Sequence, residues 1–207
     1  MIEPNRKLFS ADPFGYSALA WQKWAMAQSL AGFVVDPETP PTSAELKSPV
    51  LWLAHANALS EAAKAMLDKE PTWESMPVLL RGVCDTQYCA VALMLVGYSL
   101  ETCLKAMLIM KVGIEAYAAE EKRYLHHRLE DLASFIPEFD EKDKAILRAL
   151  THFTMWAGRY PDPGTGREGN AKQIFAESEN HQIAGRDLFG LATRVMKYSQ
   201  EIIDATE

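Results

Sequence analysis

The chain has 207 residues, a hydrophobic fraction of 48% and a charged fraction of 24%, values that are ordinary for a globular domain with a core of its own. The net charge of −7 excludes a chain that binds nucleic acid through overall basicity, although a local basic patch remains compatible with it. Three cysteines without CxxC spacing predict free thiols in a reducing compartment, and no apolar run of a signal peptide follows the N-terminal charges, so the expected location is the cytoplasm.

Residues 1–45 are predicted to form an N-terminal arm with one helix. Prolines and a glycine make residues 1–15 irregular, and the helix follows in YSALAWQKWAMAQSLAG, where apolar residues recur at helical spacing until Gly32. The prolines of VVDPETPPTS then predict an extended linker. The arm is either an appendage or an element that binds a protein partner.

Ser48 and Pro49 have the N-cap and first-turn preferences that open a helix. The residues that follow repeat by four and three, which is the seam of a helical bundle: Trp52, Ala56, Leu59, Ala63 and Met66. Pro71 ends this helix, and PTWESMPVLLRG is predicted to be a loop or a short turn.

The segment from about Cys84 to Lys111 is predicted to be the central helix. In CAVALMLVGYSLETCLKAMLIMK, apolar residues occupy almost every side, so other helices must surround it. The length approaches that of a membrane span, but Glu101 and Lys105 near the middle would each cost about 2.5 to 3.5 kcal/mol in a bilayer. No membrane span is therefore expected, and Gly113 marks the end of the helix.

The rest of the chain is also helical in pattern, and no segment alternates with period two. A short helical turn is expected within residues 114–125, a short helix in HRLEDLASFI, and a longer one in DEKDKAILRALTHFTMWAG, capped by Asp140. RYPDPGTGREGN is the strongest loop signal. The last helix is expected from about Lys172 to Asp204, with a break near Gly185 or Gly190.

No metal or cofactor site is predicted. His126 and His127 are adjacent, and adjacent helical residues point about 100° apart, so the pair does not chelate one ion. There is no HExxH or GxSxG motif, and PGTGREGN lacks the GK[ST] ending of a phosphate loop.

Two interpretations of Glu101 and Lys105 are open. Spaced by four residues, they form either an ordinary ion pair on a solvated stripe or part of a polar pocket inside the bundle. In the second case, Tyr98 and the pair would face charges from residues 159–168 and bind a nucleotide or phosphate.

Arg159 and Tyr160 also allow two interpretations, because they end an amphipathic helix at a proline-rich turn. Arg159 is either a cation facing the helix dipole, with Tyr160 packed as a lid, or an anion-binding residue on a rigid turn.

Four segments together resemble the HEPN (higher eukaryote and prokaryote nucleotide-binding) domain family. LVGYSLETCLKAML resembles the family's helix in which a Glu is followed four residues later by Lys-Ala. HRLEDLASFI resembles the short helix that comes next in the family, with a His, then a Leu, then an acidic residue and a Leu. ILRALTHFTMWAGRYP is similar to the next helix, which often ends in Arg-Tyr-Pro, and VLWLAHANALSEAAKAML fits the first. The resemblance covers about residues 48–205 and leaves the arm outside.

This resemblance implies an all-α, up-and-down bundle of about five helices over residues 46–207, with the N-terminal helical arm as an addition, and a homodimer. Many members of the family are metal-independent RNases with a closely spaced Arg and His; others are non-catalytic, and some partner a nucleotidyltransferase as toxin or antitoxin. Here no His follows Arg159 until His181, and Arg123 precedes His127 at a different place in the fold. The ribonuclease motif is thus absent where the family has it, which leaves no evident acid or base.

The first hypothesis is a non-catalytic HEPN-like protein that binds a nucleotide, RNA or a protein partner. The candidate binding residues are Tyr98, Glu101, Lys105, His127, Arg159 and Tyr160. The alternative is a divergent metal-independent ribonuclease in which His127 or His152 supplies the base to Arg159. A third hypothesis is a purely structural or interaction module with residues 1–45 as its docking arm.

Overall fold

The computed structural model describes residues 5–17, 20–30, 32–36 and 38–204. Helices account for 72% of the described residues, and no strand occurs among them, so the all-α prediction is confirmed. These ranges contain eleven α-helices: α1 (Arg6–Ala11), α2 (Pro13–Ser17), α3 (Ala20–Leu30), α4 (Pro49–Asp68), α5 (Val78–Val112), α6 (Ile114–Ala119), α7 (Glu121–Tyr124), α8 (Leu129–Leu132), α9 (Glu141–His152), α10 (Asn170–Asn180) and α11 (Gly185–Asp204). A 3₁₀ turn, Glu45–Lys47, precedes α4, and a π-helical segment, Phe153–Ala157, continues α9.

Helix α5 is the centre of the fold, as the sequence predicts. Its buried residues run from Ala92 to Ile109, and those from Leu100 onward contribute more to the main hydrophobic cluster than any other helix does, beside residues of α4, α6, α8, α9 and α11. The helix ends at Gly113, whose φ of 86° is left-handed and therefore favours glycine.

The first turns of α5 correct one prediction. Residues 78–82 belong to the helix and not to a loop, because Pro77 has an extended conformation and accepts a hydrogen bond from the Leu80 N–H at 2.8 Å. Apolar side chains in this part are exposed: Val78, Leu79, Leu80 and Val83. The environment of α5 thus changes along its length, from solvent at the N-terminal end to core at the C-terminal end.

The long apolar helix α5 also meets the composition test for a membrane span. Over the described residues it is the one helix long and apolar enough to cross a membrane. Its apolar 18-residue segment has a mean hydropathy of 1.5, and 61% of that segment is buried inside the protein. The core helix of a globular fold gives the same signal, so the finding is weak evidence for a membrane.

Helices α4 and α5 form an antiparallel hairpin. Ala56 and Ala63 of α4 are buried against α5, and small side chains there allow the two backbones to approach closely. The hydroxyl of Ser99 donates a hydrogen bond to the carbonyl of Ala56 at 2.8 Å, which fixes the register of the hairpin.

The C-terminal helices close the core on the other side. The Asp140 carboxylate caps α9 by accepting from the Asp143 N–H at 2.8 Å, as predicted, and Asp143 in turn pairs with Arg194 of α11. The predicted last helix is divided into α10 and α11, which begin at Asn170 and Gly185, so the expected break is confirmed.

The N-terminal arm holds more helix than predicted. Residues 1–4 lie outside the described ranges, but residues 6–11 and 13–17 form two short helices instead of an irregular segment. The side chains of Asn5 and Asp12 accept backbone hydrogen bonds from Lys7 at 3.1 Å and Gly15 at 2.9 Å, which caps both helices. The predicted helix of the arm is α3, which packs against α4.

The graded burial of α5 gives a direct prediction. Leu104 is 0% exposed and Leu79 is 92% exposed on the same helix. Leu104→Ala should lower the free energy of unfolding by about 2–5 kcal/mol, because it leaves a cavity in the core. Leu79→Ala is the matched control and should change it by less than about 0.5 kcal/mol. Urea denaturation followed by circular dichroism measures both, and equal effects would contradict the placement of α5.

Candidate functional site

A triad formed by Glu101, Lys105 and His127 lies on the polar face of α5, and its Glu101–Lys105 pair is buried. The Nζ of Lys105 is 2.7 Å from the Oε1 of Glu101, and the Nδ1 of His127 is 2.8 Å from its Oε2. Glu101 and Lys105 are each only 7% exposed, whereas the side chain of His127 is 43% exposed. The interpretation of a solvated stripe is therefore wrong, since the pair is buried and His127 covers it from the solvent side.

The contact with Glu101 determines which ring nitrogen of His127 carries a hydrogen. An ionised carboxylate accepts hydrogen bonds and donates none, so the Nδ1 of His127 must carry the hydrogen that points at Glu101. The other ring nitrogen, Nε2, then has a free lone pair when the ring is neutral and an N–H when it is protonated. His127 can therefore accept a proton from a bound molecule or donate a hydrogen bond to an anion.

Tyr98 links the triad to Arg159. Its ring meets the His127 ring edge to face, with centroids 5.8 Å apart, and its hydroxyl donates to the Thr154 carbonyl at 3.2 Å. The same hydroxyl accepts from Arg159 at 3.4 Å, and the Arg159 guanidinium lies over the Tyr160 ring at 5.4 Å. All six predicted site residues thus belong to one series of contacts, from Lys105 to Tyr160.

The π-helical segment supplies the acceptor for Tyr98. The Arg159 N–H bonds to the Trp156 carbonyl at 2.8 Å, and the Thr154 carbonyl receives the Tyr98 hydroxyl. Segments of this kind interrupt the regular backbone bonding of an α-helix and often occur at functional sites. Sequence periodicity predicted a continuous helix here, because a five-residue π segment does not visibly disturb an apolar repeat.

Two glycines bring this segment close to α5. A Cβ at Gly97 would overlap the side chain of Thr154, and a Cβ at Gly158 would overlap that of Met94. Any larger residue at either position would push the segment away from α5. The glycines therefore hold Arg159 within reach of Tyr98.

The connection before α8 positions His127. Leu129 is fully buried, and its N–H donates to the hydroxyl of Thr151 on α9 at 3.1 Å. The Arg128 N–H donates to the Nδ1 of the neighbouring His126 at 3.2 Å, so the two adjacent histidines have different partners. The hydrogen bonds of the two residues that follow His127 restrain the backbone that carries the ring against Glu101.

The local charge of the site is positive, although that of the chain is negative. Two cations, Lys105 and Arg159, stand beside one carboxylate, Glu101, which leaves one net positive charge with neutral His127 and two with the protonated ring. An anion is the ligand class that such a charge distribution favours. Of the described residues, none form a group of three or more His, Cys, Asp or Glu side chains suited to a metal ion.

A polar cleft of about 600 Å³, which none of the six candidate site residues lines, lies between α8, α9 and α10. Arg148 binds both oxygens of Glu177, at 2.6 and 3.0 Å, and one oxygen of Glu130 at 3.1 Å. The guanidinium is thus occupied by protein carboxylates and joins three helices. Sequence reasoning missed this cluster, and only the pairing of α9 with α10 in space reveals it.

His152 lies in this cleft, at the end of α9. Burial lowers the pKa of its ring from the ordinary 6.5, and its Nδ1 is 3.3 Å from the indole nitrogen of Trp156. No hydrogen bond, ion pair or ring contact within the described ranges joins His152 to Arg159. His152 is connected to the backbone of Arg159 through Trp156, whereas the His127 ring contacts Tyr98, whose hydroxyl accepts from the Arg159 guanidinium. Of the two histidines proposed as a base, His127 is therefore the one connected to the Arg159 side chain.

Comparisons with known proteins yield no relative: no family model, curated protein or solved structure matches this chain. The function must therefore be inferred from the site itself.

The buried Glu101–Lys105 pair predicts a specific stability effect. Glu101→Gln should lower the free energy of unfolding by about 3 kcal/mol, because it leaves the Lys105 ammonium buried without a counter-charge. Adding Lys105→Met in the same chain should restore part of the loss. Glu61→Gln, at an exposed position of α4, is the control and should have almost no effect. A Glu101→Gln variant as stable as the parent in urea would show that the pair is not buried as described.

Proposed function

We propose that this chain is a non-catalytic, HEPN-like helical protein that binds the phosphate group of a nucleotide, either free or at the end of an RNA. Its five bundle helices would be α4, α5, α8, α9 and the last helix, which is split here into α10 and α11. The protein would be a cytoplasmic homodimer. The observation that supports the binding function is the continuous series of contacts from the buried Glu101–Lys105 pair, through His127 and Tyr98, to Arg159.

Arg159 is the main phosphate ligand on this proposal. Its side chain is exposed. The guanidinium donates a long hydrogen bond to the Tyr98 hydroxyl and stacks over the Tyr160 ring. A guanidinium has five N–H donors in a planar fork that matches two phosphate oxygens, so most of its donors are left for a ligand.

His127 and Lys105 complete the anion site in different ways. The Nε2 of His127 faces away from Glu101 and, once protonated, donates directly to a phosphate oxygen. Lys105 is occupied by Glu101, so it contributes through its field and by holding the carboxylate in place. His127 would thus add a second donor to the phosphate site while the buried Glu101–Lys105 pair stays in place.

One observation favours the second candidate, a metal-independent ribonuclease. The Glu101–His127 pair at 2.8 Å has the geometry in which a carboxylate orients an imidazole as a general base. The Nε2 would remove the proton of a ribose 2′-hydroxyl while Arg159 stabilises the charge on the phosphate. A separate acid for the leaving group is not evident at this site, which is why binding without cleavage is the first proposal.

Phosphate binding is tested with adenosine monophosphate and a short 5′-phosphorylated RNA by isothermal titration calorimetry. Whichever of the two ligands the parent chain binds, Arg159→Ala should weaken that binding by about tenfold or more, since it removes a charge-assisted bidentate contact. Arg186→Ala, which removes an exposed arginine on α11, is the control for net charge. No binding of either ligand by the parent chain, or equal losses in both variants, would overturn the proposal.

Cleavage is tested separately with a fluorescent single-stranded RNA in the presence of a chelator. The first proposal predicts intact RNA. Cleavage that is lost in His127→Ala but kept in His152→Ala would instead establish the ribonuclease, because the His127 ring contacts Tyr98, whose hydroxyl accepts a hydrogen bond from the Arg159 guanidinium.

A further inference from the structure

A groove of about 440 Å³ lies between the N-terminal arm and the bundle, and the site described above does not use it. It is formed by side chains from four elements: Lys23, Leu46, Leu51, Trp52, His55 and Thr102. The arm therefore contributes a cation, and α4 contributes most of the apolar lining.

Thr102, which lines the groove, lies one helical turn after Tyr98 of the candidate site. This residue follows Glu101 on α5, and its hydroxyl donates to the Tyr98 carbonyl at 2.7 Å. Tyr98, Thr102 and Lys105 lie within two turns on one face of the helix, at spacings of four and three. The groove and the candidate site are therefore neighbours on this face of α5.

The floor of the groove is a fixed aromatic ring. The indole nitrogen of Trp52 donates to the Leu46 carbonyl at 3.1 Å, and the indole meets the buried Tyr117 ring edge to face at 6.4 Å. Both contacts hold the indole in one orientation, with Leu51 beside it. A rigid aromatic surface flanked by aliphatic side chains suits a flat ring that stacks.

The rim of the groove is polar. Lys23 and His55 are exposed, and Thr102 carries a hydroxyl, so donors and acceptors surround the apolar floor. A nucleobase has this combination of a flat apolar face and polar edges. A lysine beside the groove also complements the negative charge of a nucleotide.

We propose that this groove binds the base of the nucleotide whose phosphate is bound by Arg159 and His127. The inference rests on the proposed function and adds to it the position of the base, so that phosphorylated sugars and free phosphate, which have no base, bind less tightly. The arm would then be part of the binding site, because Lys23 of α3 borders the base.

The test compares ligands that share a phosphate but differ in the base. Adenosine monophosphate should bind the full chain about tenfold more tightly than ribose 5-phosphate, with inorganic phosphate the weakest, because only the first can stack. Trp52→Leu, which keeps apolar packing but removes the flat ring, should abolish the preference. Leu51→Ala perturbs the fold less and should reduce it, whereas Leu79→Ala on the far exposed end of α5 should keep it.

The outcomes separate the two proposals. Equal affinity for adenosine monophosphate and ribose 5-phosphate, with a loss of both in Arg159→Ala, would overturn the base subsite and leave the phosphate site standing. A preference that survives both Trp52→Leu and Leu51→Ala would place the base elsewhere and overturn the subsite. Absence of binding by all three ligands would overturn both proposals. A change of oligomeric mass in Leu51→Ala, without a change in preference, would identify the groove as a surface between copies of the chain.

Discussion

A carboxylate inside a hydrophobic core is the constraint on which this structure depends. An unpaired charge at the position of Glu101 would carry a large desolvation penalty, so the fold must bring donors to both of its oxygens. Lys105 comes from the same helix, one turn later, and His127 comes from a distant segment. The hydrogen bonds that satisfy the Glu101 carboxylate therefore connect the interior of α5 to the surface, because the second donor, His127, is half exposed.

The other half of the site follows from close packing of α5 against the end of α9. Gly97 and Gly158 lack the side chains that would keep the backbones apart. The π-helical segment that precedes Gly158 provides the Thr154 carbonyl, which accepts from the Tyr98 hydroxyl. Arg159 emerges directly after this turn, at the beginning of the proline-rich loop. Its position thus depends on main-chain geometry more than on its own contacts, which suits an arginine whose donors are left for a ligand.

Much of this arrangement was accessible from the sequence. The spacing of Glu101 and Lys105, Gly113 at the helix end and the break before Gly185 all depend on local rules, and the structure agrees with each. The burial of the ion pair was not accessible, since an apolar helix with two charges fits both a solvated stripe and a buried pair. The start of α5 was not predicted because prolines around residues 71–77 favour a loop. The Arg148 cluster was not predicted because the partners of Arg148 come from other helices.

The uneven environment of α5 has a consequence for motion. Apolar side chains of its first turns, such as Leu79, are exposed, whereas the turns around Leu104 are buried in the core. Amide protons in the first turns can exchange with solvent through brief local opening, while those of the later turns exchange only when the whole domain unfolds. One continuous helix thus contains both a part that frays and the last part of the protein to lose its order.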